Sequence, residues 1–172
     1  MRNNFSNIIL IGMAGAGKST VGAVLARLAK KQFIDTDDLI SEQTGMPLQD
    51  FLNSVGREAF QHREEQTLAG ITLHDHVIAT GGSAVYSTTG MKHLQKIGPI
   101  VLLEVDLETL EQRVHNKDSR GLINPGDGSF RDLFYSRKPL YHHWADIRIN
   151  GSGPPEDIAR SILKKLAATE NS

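Results

Sequence analysis

The sequence predicts a single α/β domain in which a parallel sheet lies between two layers of helices, and three observations lead there. The apolar run Ile8–Ile11 meets a glycine-rich turn, Gly12-Met13-Ala14-Gly15-Ala16-Gly17, which gives way to Lys18-Ser19-Thr20 and a stretch of helical periodicity. Short strand-like runs then alternate with helix-like stretches along the rest of the chain, the pattern of repeated βα units. The strand-like runs are continuously apolar rather than alternating, as strands covered on both faces are.

The first turn carries the most chemistry. Residues 12–19 satisfy G-x-x-x-x-G-K-[ST], with the strand before and the helix after that this motif requires. A triphosphate needs several backbone N–H groups converging on it, and only a chain with little Cβ bulk wraps that closely. Gly12, Gly15 and Gly17 supply that freedom, Ala14, Ala16 and Thr20 complete the cradle, and the helix start adds unpaired N–H groups and the positive end of its dipole. Lys18 is then a point charge for the β- and γ-phosphates, and the Ser19 hydroxyl is a Mg²⁺ ligand.

Strand-type runs fall at 8–11, 33–34, 77–79, 100–105 and 146–149. Helical spacing occupies 19–30, 48–53, 56–69, 88–96, 107–115, 130–144 and 155–166. The turn formers at 124–128 read as a mobile surface loop beside Arg120, so that about 113–130 is placed to form a lid. Asn150 to Pro155 is a glycine-proline turn, with Pro155 suited to a first helical turn. The tail 167–172 is expected to fray.

With 172 residues, 39% of them hydrophobic, the chain can bury one sizeable core. No repeat or linker marks a second domain, so 1–172 reads as one unit. A formal net charge of −1 gives no general attraction to nucleic acid or to an anionic membrane. The polar start and the short apolar run after it fit neither a signal segment nor a membrane span, and a cytoplasmic monomer is expected. The lack of cysteine excludes disulfides and thiolate metal sites. Of seven histidines, His142 and His143 are adjacent and face different ways, and His74 and His76 have only Asp75 nearby, so no histidine metal site is expected.

Further candidates stand at strand ends, where ligands bind in open α/β sheets. Asp35 and Asp37, as i and i+2 of extended chain, would point to one side and face the phosphate loop. One would hold Mg²⁺ through water and the other would orient or deprotonate an acceptor hydroxyl. Alternatively, Asp37 or Asp38 caps the following helix. Gly81-Gly82-Ser83, after the third strand, allows a ligand close to the backbone or makes a tight turn. Arg113, Arg120 and Arg137 stand near the expected crevice.

Taken together these residues resemble the shikimate kinase family over nearly the whole chain, from Ile8 to about Leu166. The phosphate loop has the family's G-x-x-G-x-G-K-[ST] form, and Asp35-Thr36-Asp37 matches its D-[ST]-D. The segment from Gly56 to Glu64 matches G-E-x-x-F-R-x-x-E in part, that from Ala79 to Ser83 matches T-G-G-G, and Arg120 matches the lid's R-P-L. Arg137 to Tyr141, followed by Ala145-Asp146, matches R-x-P-L-Y…A-D. The resemblance implies a five-stranded parallel sheet of the nucleoside monophosphate kinase type. It also implies MgATP-dependent phosphorylation of a hydroxyl on a small carboxylate-bearing metabolite, shikimate to 3-phosphoshikimate first. Ser19 and Asp35 would serve Mg²⁺, Asp37 the acceptor hydroxyl, Lys18 and Arg120 the transferring phosphoryl group, Arg113 the adenine and Arg137 the acceptor's carboxylate.

Three positions depart from the pattern. Gln61 stands for the family's arginine, Ser83 for its third glycine and Gly121 for its lid proline. Glutamine offers neither the charge nor the fork that grips a carboxylate. Arg57, four residues earlier and one helical turn away, is a candidate to replace it. The altered acceptor half keeps two alternatives open: another hydroxylated acceptor such as homoserine or gluconate, or a nucleotide-binding regulatory module without transfer.

Overall fold

The computed structural model describes residues 5–115 and 129–170. Arg120, Gly121, the turn at 124–128 and most of the lid region lie outside the described residues. Five strands, β1 (Ile8–Ile11), β2 (Gln32–Asp35), β3 (His76–Ala79), β4 (Ile100–Glu104) and β5 (Ile147–Asn150), form one sheet in the order β2-β3-β1-β4-β5. All four pairings are parallel. The helices are α1 (Lys18–Ala29), α2 (Thr36–Thr44), α3 (Leu48–Ala69), α4 (Thr88–Ile97), α5 (Leu107–His115), α6 (Phe130–Trp144) and α7 (Pro155–Glu170).

The order explains where a site can form. From β1 the chain steps outward to β2, then reverses through β3 to β4 and β5, so right-handed crossovers place α1 on one face and the later connections on the other. Accordingly α1 packs against α7, and α3 against α4. Connections leave in opposite directions at the end of β1, which opens a crevice beyond its last residue. Every residue of β1 is buried, as its unbroken apolar run requires. Just before it the buried Asn7 side chain donates to Leu73 O (2.8 Å) and Ile97 O (3.2 Å) and accepts from the His76 N–H (3.0 Å).

Two expectations are corrected and a third holds. Residues 36–44 form α2, a helix the apolar pattern hides because Leu39 and Ile40 are its only large hydrophobics. The stretches at 48–53 and 56–69 are, as expected, two helical segments, separated within α3 by Gly56 at φ 80°, ψ 173°. Residues before that break pack Leu48, Phe51 and Leu52 onto a small separate core of Ile40 and Phe60. Finally, α7 runs through Glu170 rather than fraying from Ala167, because the buried Leu166 anchors its last turns.

Candidate active site

The phosphate loop is built as its composition demands. Gly15 and Gly17 sit at φ 82° and 92°, a left-handed conformation that glycine adopts without strain. Gly17 is the N-cap of α1 and offers no side chain, so the first-turn N–H groups open toward the crevice. Lys18 is 9% exposed and donates to Gly12 O (2.7 Å) and Met13 O (2.9 Å). Burial pushes its ammonium down to about 8, against the opposing pull of Asp37 and Asp35. Arg113, on α5, donates to Gly15 O at 3.0 Å and braces the loop from outside.

Asp35 closes β2 and joins two elements. Its Oδ2 accepts from Ser19 Oγ at 2.7 Å, and its Oδ1 accepts from the Asp37 N–H at 2.9 Å. The second bond makes Asp35 itself the N-cap of α2. The extended i, i+2 geometry expected for Asp35 and Asp37 is therefore wrong, as is the assignment of the cap to Asp37 or Asp38: Asp37 lies in the first turn of a helix. Both carboxylates nonetheless line the same cleft.

The opposite wall is the turn after β3. The Gly81 N–H is held by the buried Thr36 hydroxyl (3.2 Å), Gly82 O by the Tyr141 hydroxyl (2.7 Å), and the Ser83 hydroxyl donates to Glu64 Oε2 (2.7 Å). Behind the turn lies Arg137 of α6, 2% exposed. Its Nε donates to the Tyr86 hydroxyl (3.3 Å), and its guanidinium sits 5.4 Å from that ring's centre. A Cβ on Gly82 would stand 2.8 Å from Arg137 Nη1, so glycine is what lets the guanidinium approach the turn. Burial pushes the Tyr141 phenol up and keeps it a neutral donor.

The cleft, about 820 Å³ in volume, brings together the residues from Ala14 to Thr20 with Asp35, Asp37, Gly81, Gly82, Ser83, Arg113 and Arg137. Gly12 is buried beneath the loop against Leu103 O. Arg57 and Gln61 are not among the lining residues: Arg57 is exposed just after the α3 break, and Gln61 is half-buried. Glu64, Thr36, Tyr86 and Tyr141 support the site without having been singled out for it. A signal for Glu64 was present, since it falls between Phe60 and Leu68 at i, i+4 spacing, a carboxylate on the buried face of α3.

A lysine-bearing phosphate loop, two carboxylates beside it and a buried arginine on the far wall define a P-loop phosphotransferase for a small anionic acceptor. The model of the shikimate kinase family matches residues 14–167. The shikimate kinase of Sulfurihydrogenibium sp. (strain YO3AOP1) is 35% identical over 162 residues, 93% of this chain and 97% of that one. The structure of a shikimate kinase from Acinetobacter baumannii in complex with shikimate superposes with a TM-score of 0.87 at 31% identity, covering 99% of this chain and 97% of that one. A gluconokinase from Sinorhizobium meliloti 1021, covering 99% of this chain and 97% of that one, shares the fold alone, with a TM-score of 0.55 at 20% identity. The chain belongs to the shikimate kinase family and is an ATP-dependent small-molecule kinase. Among the described residues no helix is long and apolar enough to cross a membrane.

Proposed function

We propose that the protein transfers the terminal phosphoryl group of ATP to a hydroxyl of shikimate. The observation that carries this reading is Arg137, an almost fully buried guanidinium in the cleft that also holds Asp37 and Lys18. A buried planar fork suits a carboxylate on the acceptor. In this reading Arg137 grips that carboxylate while Gly81, Gly82 and Ser83 frame the ring. Asp37 orients the acceptor hydroxyl and takes its proton as oxygen bonds to phosphorus and ADP departs. Lys18 exchanges its two carbonyl partners for phosphate oxygens, Arg120 joins it on the transferring group, and Arg113 borders the adenine. Most of the rate comes from positioning and charge stabilisation.

The Ser19 hydroxyl and the Asp35 carboxylate, hydrogen-bonded at 2.7 Å beside the phosphate loop, are hard oxygen donors of the kind Mg²⁺ takes. They would hold the ion directly or through water, and it would neutralise charge on the β- and γ-phosphates.

The test is ADP release with shikimate, homoserine and gluconate as acceptors. Turnover of shikimate is expected. Turnover of another acceptor alone would replace shikimate, an outcome that Gln61 and Ser83 keep worth testing. MgATP binding with no turnover of any acceptor would leave a regulatory module.

A further inference from the structure

Glu64 is 2% exposed, and its Oε1 has no hydrogen-bond partner among the described residues. Its Oε2 is held by the Ser83 hydroxyl. An unsatisfied carboxylate oxygen in so dry a place is costly unless something donates to it or it carries a proton. The neighbour decides which. A Cβ built on Gly81 would stand 2.6 Å from Asp37 Oδ1 and 3.0 Å from Glu64 Oε1, so both carboxyl oxygens border the same point of the turn.

The titratable and charged groups facing Glu64 are Asp37 from α2 and Arg137 and Tyr141 from α6. Burial pushes the Glu64 carboxyl up to about 7 and Asp37 adds to the effect, together outweighing the Ser83 hydrogen bond and Arg137, which favour the ionised form. Gln61, one turn back on the same helix, brings no second cation. A buried carboxyl with an oxygen left unpaired and a second carboxyl beside it is stable as the neutral acid.

We propose that Glu64 is a positioning residue for phosphoryl transfer: a neutral carboxylic acid, pinned by Ser83 through Oε2, whose Oε1–H donates to the Asp37 carboxylate and aims it at the acceptor hydroxyl. The proton satisfies the orphaned oxygen and converts a repulsion into a hydrogen bond. The Ser83 hydroxyl, where the family's pattern has glycine, then fixes the acid, while the rest of Ser83 stays in the wall that borders the acceptor. The proposal rests on Asp37 acting on the acceptor, as above.

Glu64→Gln separates this role from a structural one, because the amide copies the neutral acid: its oxygen accepts from Ser83 and its N–H donates to Asp37. With shikimate and MgATP saturating, wild-type kcat is expected to fall as pH rises through about 7, while Glu64→Gln stays within about threefold of wild type at pH 6 and lacks that fall. Glu64→Ala is expected to lose about tenfold or more in kcat with little change in the KM for ATP. A Glu64→Gln enzyme as slow as Glu64→Ala, or a wild-type profile flat from pH 6 to 8.5, would overturn the proposal. A substrate-free readout is the carbon-13 NMR titration of the Glu64 carboxyl: a midpoint near 7 is expected, and full ionisation at pH 6 defeats the proposal. If wild type fails to turn over shikimate, the acceptor assignment fails, and the titration still decides whether Glu64 holds a proton.

Discussion

Ser19 Oγ donates a 2.7 Å hydrogen bond to Asp35 Oδ2, tying the first turn of α1 to the end of β2. With its other oxygen Asp35 caps α2, so one carboxylate serves both the proposed metal position and the placement of Asp37.

These two roles separate by substitution. Asn caps as well as Asp does, so Asp35→Asn should leave stability within about 0.5 kcal/mol of wild type. It should lower activity roughly 10- to 100-fold and raise the Mg²⁺ concentration needed. Asp35→Ala should lose about 1 kcal/mol as well. Urea midpoints and Mg²⁺ titrations of ADP release measure the two effects. Equal activity of Asp35→Asn and wild type at limiting Mg²⁺ would rule out the metal role.

Arg137 and Arg57 compete for the acceptor's carboxylate. Arg137 is buried within the cleft wall, whereas Arg57 is exposed and outside the lining. Arg137→Met should raise the KM for shikimate roughly 30-fold or more, as losing about 2 kcal/mol or more from a desolvated charge pair does. The KM for ATP should change little. Arg57→Ala should shift the shikimate KM less than about threefold. The reverse ranking would show that the carboxylate is held from α3.

Glu64 gives stability a pH dependence whose sign follows from proton binding. The folded chain holds this proton up to about pH 7, and the unfolded chain releases it near 4.5. Stability from this group is therefore fully present below about 4.5, declines as pH rises and levels off above about 7, by at most about 3 kcal/mol. Glu64→Gln removes the decline and should gain on wild type between pH 5 and pH 8. Urea denaturation at both pH values measures it, and parallel curves for the two proteins would refute it.

Asn7 tests the fold apart from the chemistry. Its buried amide satisfies Leu73 O, Ile97 O and the His76 N–H. Asn7→Leu leaves all three without that partner and should cost about 3 kcal/mol, or roughly 6 to 12 °C in Tm for a chain of this size. At 15 °C, kcat should be unchanged. Thermal unfolding and low-temperature ADP release check both halves.

The strands at 8–11 and 100–104 were legible because uninterrupted apolar runs have few other uses. The helix at 36–44 was not, because its start is signalled by Asp35, which reads equally well as the end of a strand. That ambiguity also misled the placement of Asp37: a residue two positions beyond a strand is extended only if the strand continues, and the cap ends it. The α3 break was visible as two separate apolar stretches, and Gly56 at positive φ is the reason they do not merge into one straight helix.

By itself the sequence determined the phosphate half of the site. Gly12 to Ser19 are contiguous, and the backbone conformation those glycines permit is local, so the loop is complete wherever its strand and helix form. Tertiary structure decided the acceptor half. Asp37, Glu64, Ser83 and Arg137 come from four separate elements, and whether each carboxyl is charged depends on burial and on neighbours far away in the chain. Only the packing of α3 and α6 against the turn after β3 removes water from Glu64 and Arg137 and brings one close to Asp37.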